Sequence, residues 1–458
     1  MKNTFRKTII FQMILALLAA GLVFCGTAAA GFVSASSDRV KTMGRWIPAD
    51  NGSLYAGRGA VIASVEFEGT GVQVQMFSDS VKDVWWLKKL DDGPMERIKA
   101  RMGINDLYQD LPFGKHTLTI IRETEGMGGV TILRGFIFIG EKEEPAVNTS
   151  TSVKVDTVKD RSSGKQEPGN PISDKKLSAG RSSDRRNAEK QPVKKPHSKK
   201  ILSDKTVAEN VSSGEPLSKT GSGSGNGASA DPDAATVPSV PRRRSIEIIG
   251  DSVAAGAFIY PEGDYFQRES GYLAFGPRLA RMLDADWSCV ASSGEGAVRN
   301  NDEKAPYNAK HADEQIERAF YTQKEPRWNN QMDDPDLVIL AYGENDFNDA
   351  VNRPSDEYFK MQYKKLILKL RQFRPNSVIF CMTPANTETS RQSVPGMGGA
   401  VEELRAEGDG RVYFIDLNAN GPLLDRSDFL DGVHPLSSGH EKIALYLRER
   451  VCAILGWN

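Results

Sequence analysis

The sequence contains little cysteine and no excess of either charge. Only four cysteines occur in 458 residues. The three that follow the apolar N-terminal segment, Cys289, Cys381 and Cys452, lack the spacing of a metal site or a disulfide framework. The 59 basic and 60 acidic side chains leave a formal net charge of -1, so no whole-chain field favours nucleic acid. We predict no metal, no cofactor and no nucleic-acid partner.

Long apolar runs are absent except at the N-terminus. Lys2, Arg6 and Lys7 precede an apolar run over residues 8–24, and small residues follow up to residue 30. This layout is typical of a secretory signal peptide over residues 1–30, with an uncleaved anchor as the alternative because the run is rather long. We therefore predict a secreted or periplasmic protein, without stable membrane insertion once the signal is cleaved.

Aromatic residues are absent from residues 141–243, where Ser, Lys, Gly, Pro and Asp dominate. A segment with so little apolar mass cannot offset the loss of chain entropy on folding. We therefore predict a disordered linker over residues 143–243, between one folded domain at 38–142 and another at 244–458.

Residues 38–142 carry short runs in which apolar and polar side chains alternate. Residues 63–67 read Ala-Ser-Val-Glu-Phe, and residues 72–76 read Val-Gln-Val-Gln-Met. A period of two places every second side chain on the same face of a strand. Residues 126–129, Gly-Met-Gly-Gly, supply a turn between the last two runs. The pattern predicts an antiparallel β-sandwich.

After residue 244, β-branched runs alternate with amphipathic stretches. This alternation predicts a three-layer α/β domain whose parallel sheet is covered by helices on both faces. Ligands bind beyond the carboxyl ends of the strands in such folds. The predicted strands are Ser245–Ile249, Trp287–Ala291, Leu337–Tyr342, Val378–Met382 and Val412–Leu417, and the clearest predicted helices are Tyr272–Leu283, Tyr358–Phe373 and Gly439–Val451.

The first predicted strand runs directly into Gly250-Asp251-Ser252. A serine at a strand-to-helix turn holds its hydroxyl over the sheet edge, and its backbone N–H is free to bind an anion. Ser252 is therefore a candidate nucleophile for attack on an acyl carbon. The alternative is an ordinary helix-capping turn.

Two candidate hydrogen-bond donors follow the next two strands. Gly294 has no Cβ to shield its backbone N–H, and Asn345 carries a neutral amide. Together with the N–H of Ser252, they predict an oxyanion hole. A tight turn at Gly294 and a helix cap at Asn345 are the alternatives.

The fourth block, Asp431-Gly432-Val433-His434-Pro435, precedes the last predicted helix. Pro435 disfavours helical geometry at His434, which places the imidazole on a loop. Asp431 can accept from one ring nitrogen and leave the other to take the serine proton. A structural Asp–His pair is the alternative. The joint occurrence of all four blocks at strand ends favours catalysis.

The four blocks resemble those of the SGNH (GDSL-type) hydrolases, from Ser245 to the C-terminus. Residues 293–300, Ser-Gly-Glu-Gly-Ala-Val-Arg-Asn, are similar to a block of the family 2 carbohydrate esterases. Those enzymes also carry an N-terminal jelly roll. Residues 111–119 and 122–125 of this chain resemble the end of that jelly roll. The resemblance implies an SGNH/flavodoxin-like domain preceded by a jelly roll, with no metal. The Asp-x-x-His spacing, Glu344 and the long linker depart from the family pattern.

The resemblance implies an exported serine esterase that removes O-acetyl groups from polysaccharide or oligosaccharide, of the acetylxylan or glucomannan type. Its partner is then an acetylated carbohydrate. One alternative is an SGNH esterase acting on the cell's own exopolysaccharide or on lipid esters. Another is a non-catalytic glycan-binding surface protein.

Four side chains near these motifs are weaker candidates for substrate binding. The rings of Tyr260, Trp328 and Phe347 could stack on a sugar, and Arg299 could bind substrate through its charge. The alternatives are core packing for the rings and a carboxylate partner for Arg299.

Overall fold

The computed structural model describes residues 31–80, 83–140, 242–330 and 334–458. The predicted signal peptide and nearly all of the predicted linker lie outside these residues. Within the described ranges, no helix has both the length and the apolar character required to cross a bilayer. The strands of the N-terminal part are β1 (Phe32–Ser34), β2 (Val40–Met43), β3 (Ile47–Pro48), β4 (Leu54–Ala56), β5 (Ile62–Gly69), β6 (Gly71–Ser78), β7 (Trp85–Leu90), β8 (Glu96–Lys99), β9 (Gly103–Tyr108), β10 (Gly114–Arg122) and β11 (Thr131–Ile139).

The N-terminal strands form two sheets in which every described pair is antiparallel. One sheet has the order β3-β4-β11-β6-β9, with β1 also on β11, and the other has the order β2-β5-β10-β7-β8. In β5 the alternate side chains Ala63, Val65 and Phe67 are buried, because a period of two directs them to one face. The predicted antiparallel β-sandwich is confirmed, and its first strand begins at Phe32.

The C-terminal part is the predicted three-layer α/β domain. Its sheet has the order β13-β12-β14-β15-β16, and all four pairs are parallel. The five observed strands agree with the predicted ones within two residues at each end. The strands are β12 (Ser245–Gly250), β13 (Asp286–Ala291), β14 (Leu337–Ala341), β15 (Val378–Met382) and β16 (Val412–Ile415), and the helices are α1 (Ser252–Ala255), α2 (Phe275–Met282), α3 (Ala312–Gln315), α4 (Glu344–Phe347), α5 (Asp356–Phe373), α6 (Thr387–Ala406) and α7 (Ser437–Leu455).

Helices cover both faces of the parallel sheet because successive strand residues point to opposite sides. Ile248 packs in the cluster that contains Phe275 of α2 and Leu447 of α7. Its neighbour Ile249 packs in the opposite cluster, with Phe359 of α5. Strands that are buried on both faces read as continuous apolar runs. The carboxyl ends of β12, β13 and β14 therefore meet along one sheet edge.

The β-sandwich packs against the α/β domain through buried polar groups. Glu247 in β12 bonds to Arg45 of the sandwich at 3.0 Å and to Arg374 at 2.9 Å, and all three side chains are at most 3% exposed. Burial acts to raise the pKa of Glu247, but the charges of Arg374 and Arg45 outweigh it and lower that pKa. Trp287 also donates to the carbonyl of Ala60 at 3.0 Å. These contacts join the two domains.

Candidate active site

Ser252 begins helix α1 directly after strand β12. The side chain of Asp251 caps this helix by accepting from the N–H of Val253 at 3.0 Å. Burial raises the pKa of Asp251 well above its usual value, and the nearby carboxyl of Glu344 adds to this effect. The capping interpretation of this block therefore holds for Asp251, and the cap leaves the Ser252 hydroxyl at the end of the strand.

The structure brings His434 and Asp431 to Ser252, although the serine and the histidine are 182 positions apart in the chain. His434 Nε2 lies 3.0 Å from Ser252 Oγ. His434 Nδ1 lies 2.7 Å from Asp431 Oδ2. A carboxylate on Nδ1 selects the tautomer that carries its proton there, which leaves Nε2 free to accept the serine hydroxyl proton.

The Asp431 carboxyl also fixes the loop that carries the histidine. Its Oδ1 accepts from the backbone N–H of His434 at 2.8 Å and of Val433 at 3.0 Å. Partial burial acts to raise the pKa of Asp431, but these bonds and the imidazole bond outweigh it and lower that pKa. Asp431 therefore remains ionised at neutral pH and orients the ring.

The three predicted oxyanion donors lie just beyond the carboxyl ends of β12, β13 and β14. Within the described residues, the backbone N–H groups of Ser252 and Gly294 have no protein acceptor. Gly294 adopts a φ of +77°, which other residues adopt only with strain. Asn345 Nδ2 donates one hydrogen to the carbonyl of Glu295 at 2.9 Å, so its second amide hydrogen is available for a ligand.

Asp346 ties the second and third blocks together. Its carboxyl accepts from the backbone N–H of Ala297 at 3.1 Å, of Val298 at 2.8 Å and of Arg299 at 2.9 Å. These bonds fix the loop after Gly294 to the start of α4, which carries Asn345. Asp346 directly follows Asn345 in the sequence, but no sequence pattern indicates that its carboxyl accepts from three backbone N–H groups.

Two of the weaker candidates for substrate binding are buried away from the site. Phe347 is 2% exposed and packs against Phe359 in the core. Arg299 is fully buried, where it donates to the carbonyl of Asn345 and to Asn348 Oδ1. Both side chains fill protein interior, and Arg299 holds the backbone of Asn345, which favours core packing and a structural role over substrate contact.

The other two candidates lie where the β-sandwich meets the α/β domain. Trp328 is partly buried and packs against the apolar cluster of Val130, Ala319 and Phe320. Stacking of its ring on a sugar stays a prediction. Tyr260 is half-buried, and its hydroxyl donates to Glu123 at 3.3 Å. Substrate binding by Tyr260 stays a prediction.

Phe258 is a neighbour of the site that the sequence analysis missed. Its ring lies 4.6 Å from the His434 ring, measured between centroids. The guanidinium of Arg268 lies over the same ring at 4.3 Å. Phe258 therefore forms one wall beside the imidazole, and no motif in the sequence marks it.

Glu344 introduces a titrating carboxyl close to the site. It is buried in α4, and burial raises its pKa to about 7. The hydroxyl of Thr389, which donates to it at 2.6 Å, acts to lower that pKa, and the Asp431 charge acts to raise it. Because the pKa is higher in the folded chain than its usual value of 4.5, the folded state favours the protonated side chain.

We expect Glu344→Gln to change how stability depends on pH. In the wild type, the raised pKa of Glu344 contributes to the free energy of unfolding. This contribution is complete below about pH 4.5 and is lost as the pH rises through about 7. The amide stays neutral and can still accept from Thr389, so the variant should match the wild type at pH 4.5. At pH 8.5 it should be more stable by about 3 kcal/mol. Urea unfolding at both pH values measures the difference.

Glu402→Gln on the exposed face of α6 controls for the loss of one carboxyl in that experiment. A wild-type protein and a Glu344→Gln variant with the same free energy of unfolding at both pH values would contradict the expectation.

The fold and these side chains are similar to those of the SGNH (GDSL-type) hydrolases. Residues 248–442 match the sequence profile of the GDSL-like Lipase/Acylhydrolase family. The chain is also similar to the family 2 carbohydrate esterases. The resemblance predicted from the sequence is therefore confirmed.

The curated relatives are two proteins from Cellvibrio japonicus (strain Ueda107), each named acetylxylan esterase / glucomannan deacetylase. One is 34% identical over 149 residues, which cover 30% of this chain and 40% of the relative. The other is 25% identical over 230 residues, which cover 48% of this chain and 59% of the relative. The chain thus spans about half the length of these relatives.

A solved structure with the same fold is a family two carbohydrate esterase from Cellvibrio japonicus. The TM-score is 0.63 at 19% identity, and the match covers 93% of this chain and 98% of the solved chain. This likeness confirms the predicted fold class, a β-sandwich followed by a parallel α/β domain.

Proposed function

We propose that this chain is an exported serine esterase that removes O-acetyl groups from polysaccharide or oligosaccharide. The observation that carries the proposal is the hydrogen-bonded series Ser252–His434–Asp431, with 3.0 Å and 2.7 Å between the bonded atoms. Nucleophile, base and orienting carboxylate in this order form the arrangement used for acyl transfer. Residues 1–30 are proposed to direct export.

The proposed reaction begins as Ser252 Oγ bonds to the acetyl carbonyl carbon while His434 Nε2 takes the serine proton. Negative charge then gathers on the carbonyl oxygen, where the N–H groups of Ser252 and Gly294 and the amide of Asn345 stabilise it. The carbon–oxygen bond to the sugar breaks, and His434 returns its proton to the sugar oxygen.

A water molecule completes the proposed cycle. His434 takes a proton from that water as its oxygen attacks the acetylated Ser252. The second tetrahedral intermediate collapses to acetic acid, and the serine regains its hydrogen. Asp431 stabilises the imidazolium in both halves without taking a proton.

The assembled site supports catalysis over a purely glycan-binding role, because binding alone does not require an imidazole oriented between a carboxylate and a serine. The names of the curated relatives support acetylated xylan or glucomannan as the substrate class over lipid esters or the cell's own exopolysaccharide.

The substrate class is tested by measuring acetate release from acetylated xylan and acetylated glucomannan, together with hydrolysis of aryl esters of increasing acyl length. We expect release from the polysaccharides and a preference for aryl acetate over longer acyl chains. A preference for long acyl chains would favour a lipid esterase. Failure of a fluorophosphonate probe to label the folded protein would favour a binding protein.

A further inference from the structure

The segment Arg122-Glu123-Thr124-Glu125 begins at the last residue of β10 in the sandwich and is fully buried. The carbonyl of Glu123 accepts from the N–H of Gly271 in the α/β domain at 3.1 Å. The N–H of Glu125 donates to Glu269 Oε1, also in the α/β domain, at 3.1 Å. The sandwich therefore inserts two acidic side chains into the interior next to the hydrolase domain.

The Glu125 carboxyl binds the loop that carries the proposed oxyanion donor. Its Oε2 accepts from the backbone N–H of Ser293 at 2.6 Å. Ser293 directly precedes Gly294, and the direction of the Gly294 N–H depends on the peptide plane that the two residues share. A short bond to a carboxylate in a buried place is strong, because no water competes for the donor.

The Glu125 carboxyl is also connected to Phe258, the ring that lies beside the His434 imidazole. Glu125 Oε1 accepts from the hydroxyl of Tyr265 at 2.7 Å. The Tyr265 ring meets Phe258 edge to face at 5.2 Å between centroids, and Phe258 lies against His434. One sandwich side chain is thus connected to both sides of the site.

Among the described residues, the Glu125 carboxyl accepts from Ser293 and Tyr265, and Glu269 Oε2 has no hydrogen-bond partner. Burial raises the pKa of Glu269 well above its usual value, and the charge of Glu125 adds to that effect. A buried carboxylate keeps its position only while its donors stay in place, which makes the Ser293 and Tyr265 bonds mutually necessary.

We propose that Glu125 is a positioning residue of the hydrolase site: through Ser293 it holds the Gly294 N–H where the oxyanion forms, so the β-sandwich is part of the catalytic unit. This inference rests on the proposed esterase function. Glu125 touches neither substrate nor reacting atoms, and its effect passes entirely through the loop.

The test compares three substitutions of Glu125 in the full chain, with an aryl acetate as substrate. Glu125→Met keeps the length but removes both acceptors, and we expect kcat to fall by about 10-fold or more with KM within about 2-fold. In Glu125→Gln the amide oxygen can accept from Ser293, and the NH2 can donate to the tyrosine oxygen. We therefore expect this variant to keep kcat within about 3-fold.

Glu123→Met is the matched control, because it removes the neighbouring buried carboxyl of the same segment. Glu123 binds Arg97, Ser270 and Tyr260, so we expect a lower melting temperature but a kcat within about 2-fold of the wild type. If Glu125→Met does not fold, Glu125→Asp replaces it. That variant keeps the charge but is one methylene too short to reach Ser293, and its kcat should also fall by about 10-fold.

Equal kcat values in the Glu125→Met and Glu123→Met proteins would overturn the inference, as would a Glu125→Gln variant as slow as Glu125→Met. In either case the proposed function would stand. A wild-type protein that hydrolyses no ester would instead count against the proposed function and remove this inference with it.

Discussion

Ser252→Ala should lower kcat for acetyl ester hydrolysis by about 10⁴-fold or more, because it removes the atom that forms the bond to the acyl carbon. Ser252 is 4% exposed and its hydroxyl lies 3.0 Å from His434 Nε2. Loss of one hydroxyl leaves the packing of α1 intact, so the melting temperature should change little. Acetate release and thermal unfolding measured on the same sample separate the two effects.

Ser288→Ala is a suitable control for that experiment. Ser288 lies in the first half of β13, away from the strand end that carries the site, and its buried hydroxyl has no partner among the described residues. Activity and stability should both stay close to the wild type. Wild-type turnover in Ser252→Ala would exclude the proposed mechanism.

Asn345→Ala is expected to have the second largest effect, a loss of about 10² to 10³ in kcat. The amide is oriented by its bond to the carbonyl of Glu295 at 2.9 Å and is 6% exposed. Its free hydrogen is proposed to act on charge that exists only in the transition state, so KM should change little. Loss of the Glu295 bond should cost about 1 kcal/mol of folding stability. Steady-state kinetics and urea unfolding measure the two quantities.

Asn352→Ala provides the matched control for Asn345→Ala. The amide of Asn352 bonds to Asp349 on the loop after α4, where it contacts none of the proposed donors. We expect its kcat to stay within about 2-fold of the wild type. If Asn345→Ala and Asn352→Ala show the same kcat, the amide has no role in stabilising the oxyanion.

Asp431, the acid of the proposed triad, lies three residues before His434, which is an unusual spacing. The Asp431-x-x-His434 turn departs from the pattern of the family 2 esterases, so the sequence supports the acid only through the wider SGNH class. In the structure the carboxyl binds the ring and also the two N–H groups of the turn. The three-residue spacing allows the Asp431 carboxyl to bind both the imidazole and the backbone N–H groups, because the turn brings all of them to the same side chain.

Helix α6 was not among the helices that the sequence predicted clearly. Pro395 and three glycines lie inside it, and both residue types disfavour helix interiors. A Cβ at Gly396 would come within 2.7 Å of Phe359 in α5. The glycine therefore permits close packing of α5 and α6, and the apolar area buried there outweighs the poor local propensity.

The sequence by itself determined the strands of the α/β domain, the antiparallel sandwich and the residues that follow each parallel strand. Apolar periodicity defines strands locally, and the carboxyl ends of parallel strands must share one edge, so Ser252, Gly294 and Asn345 were predictable as neighbours. Only the tertiary structure decided that Asp346 holds the Gly294 loop, that Phe258 lies against His434 and that Glu125 reaches Ser293. Those contacts depend on how loops and domains pack, and that packing leaves no periodic signal in the chain.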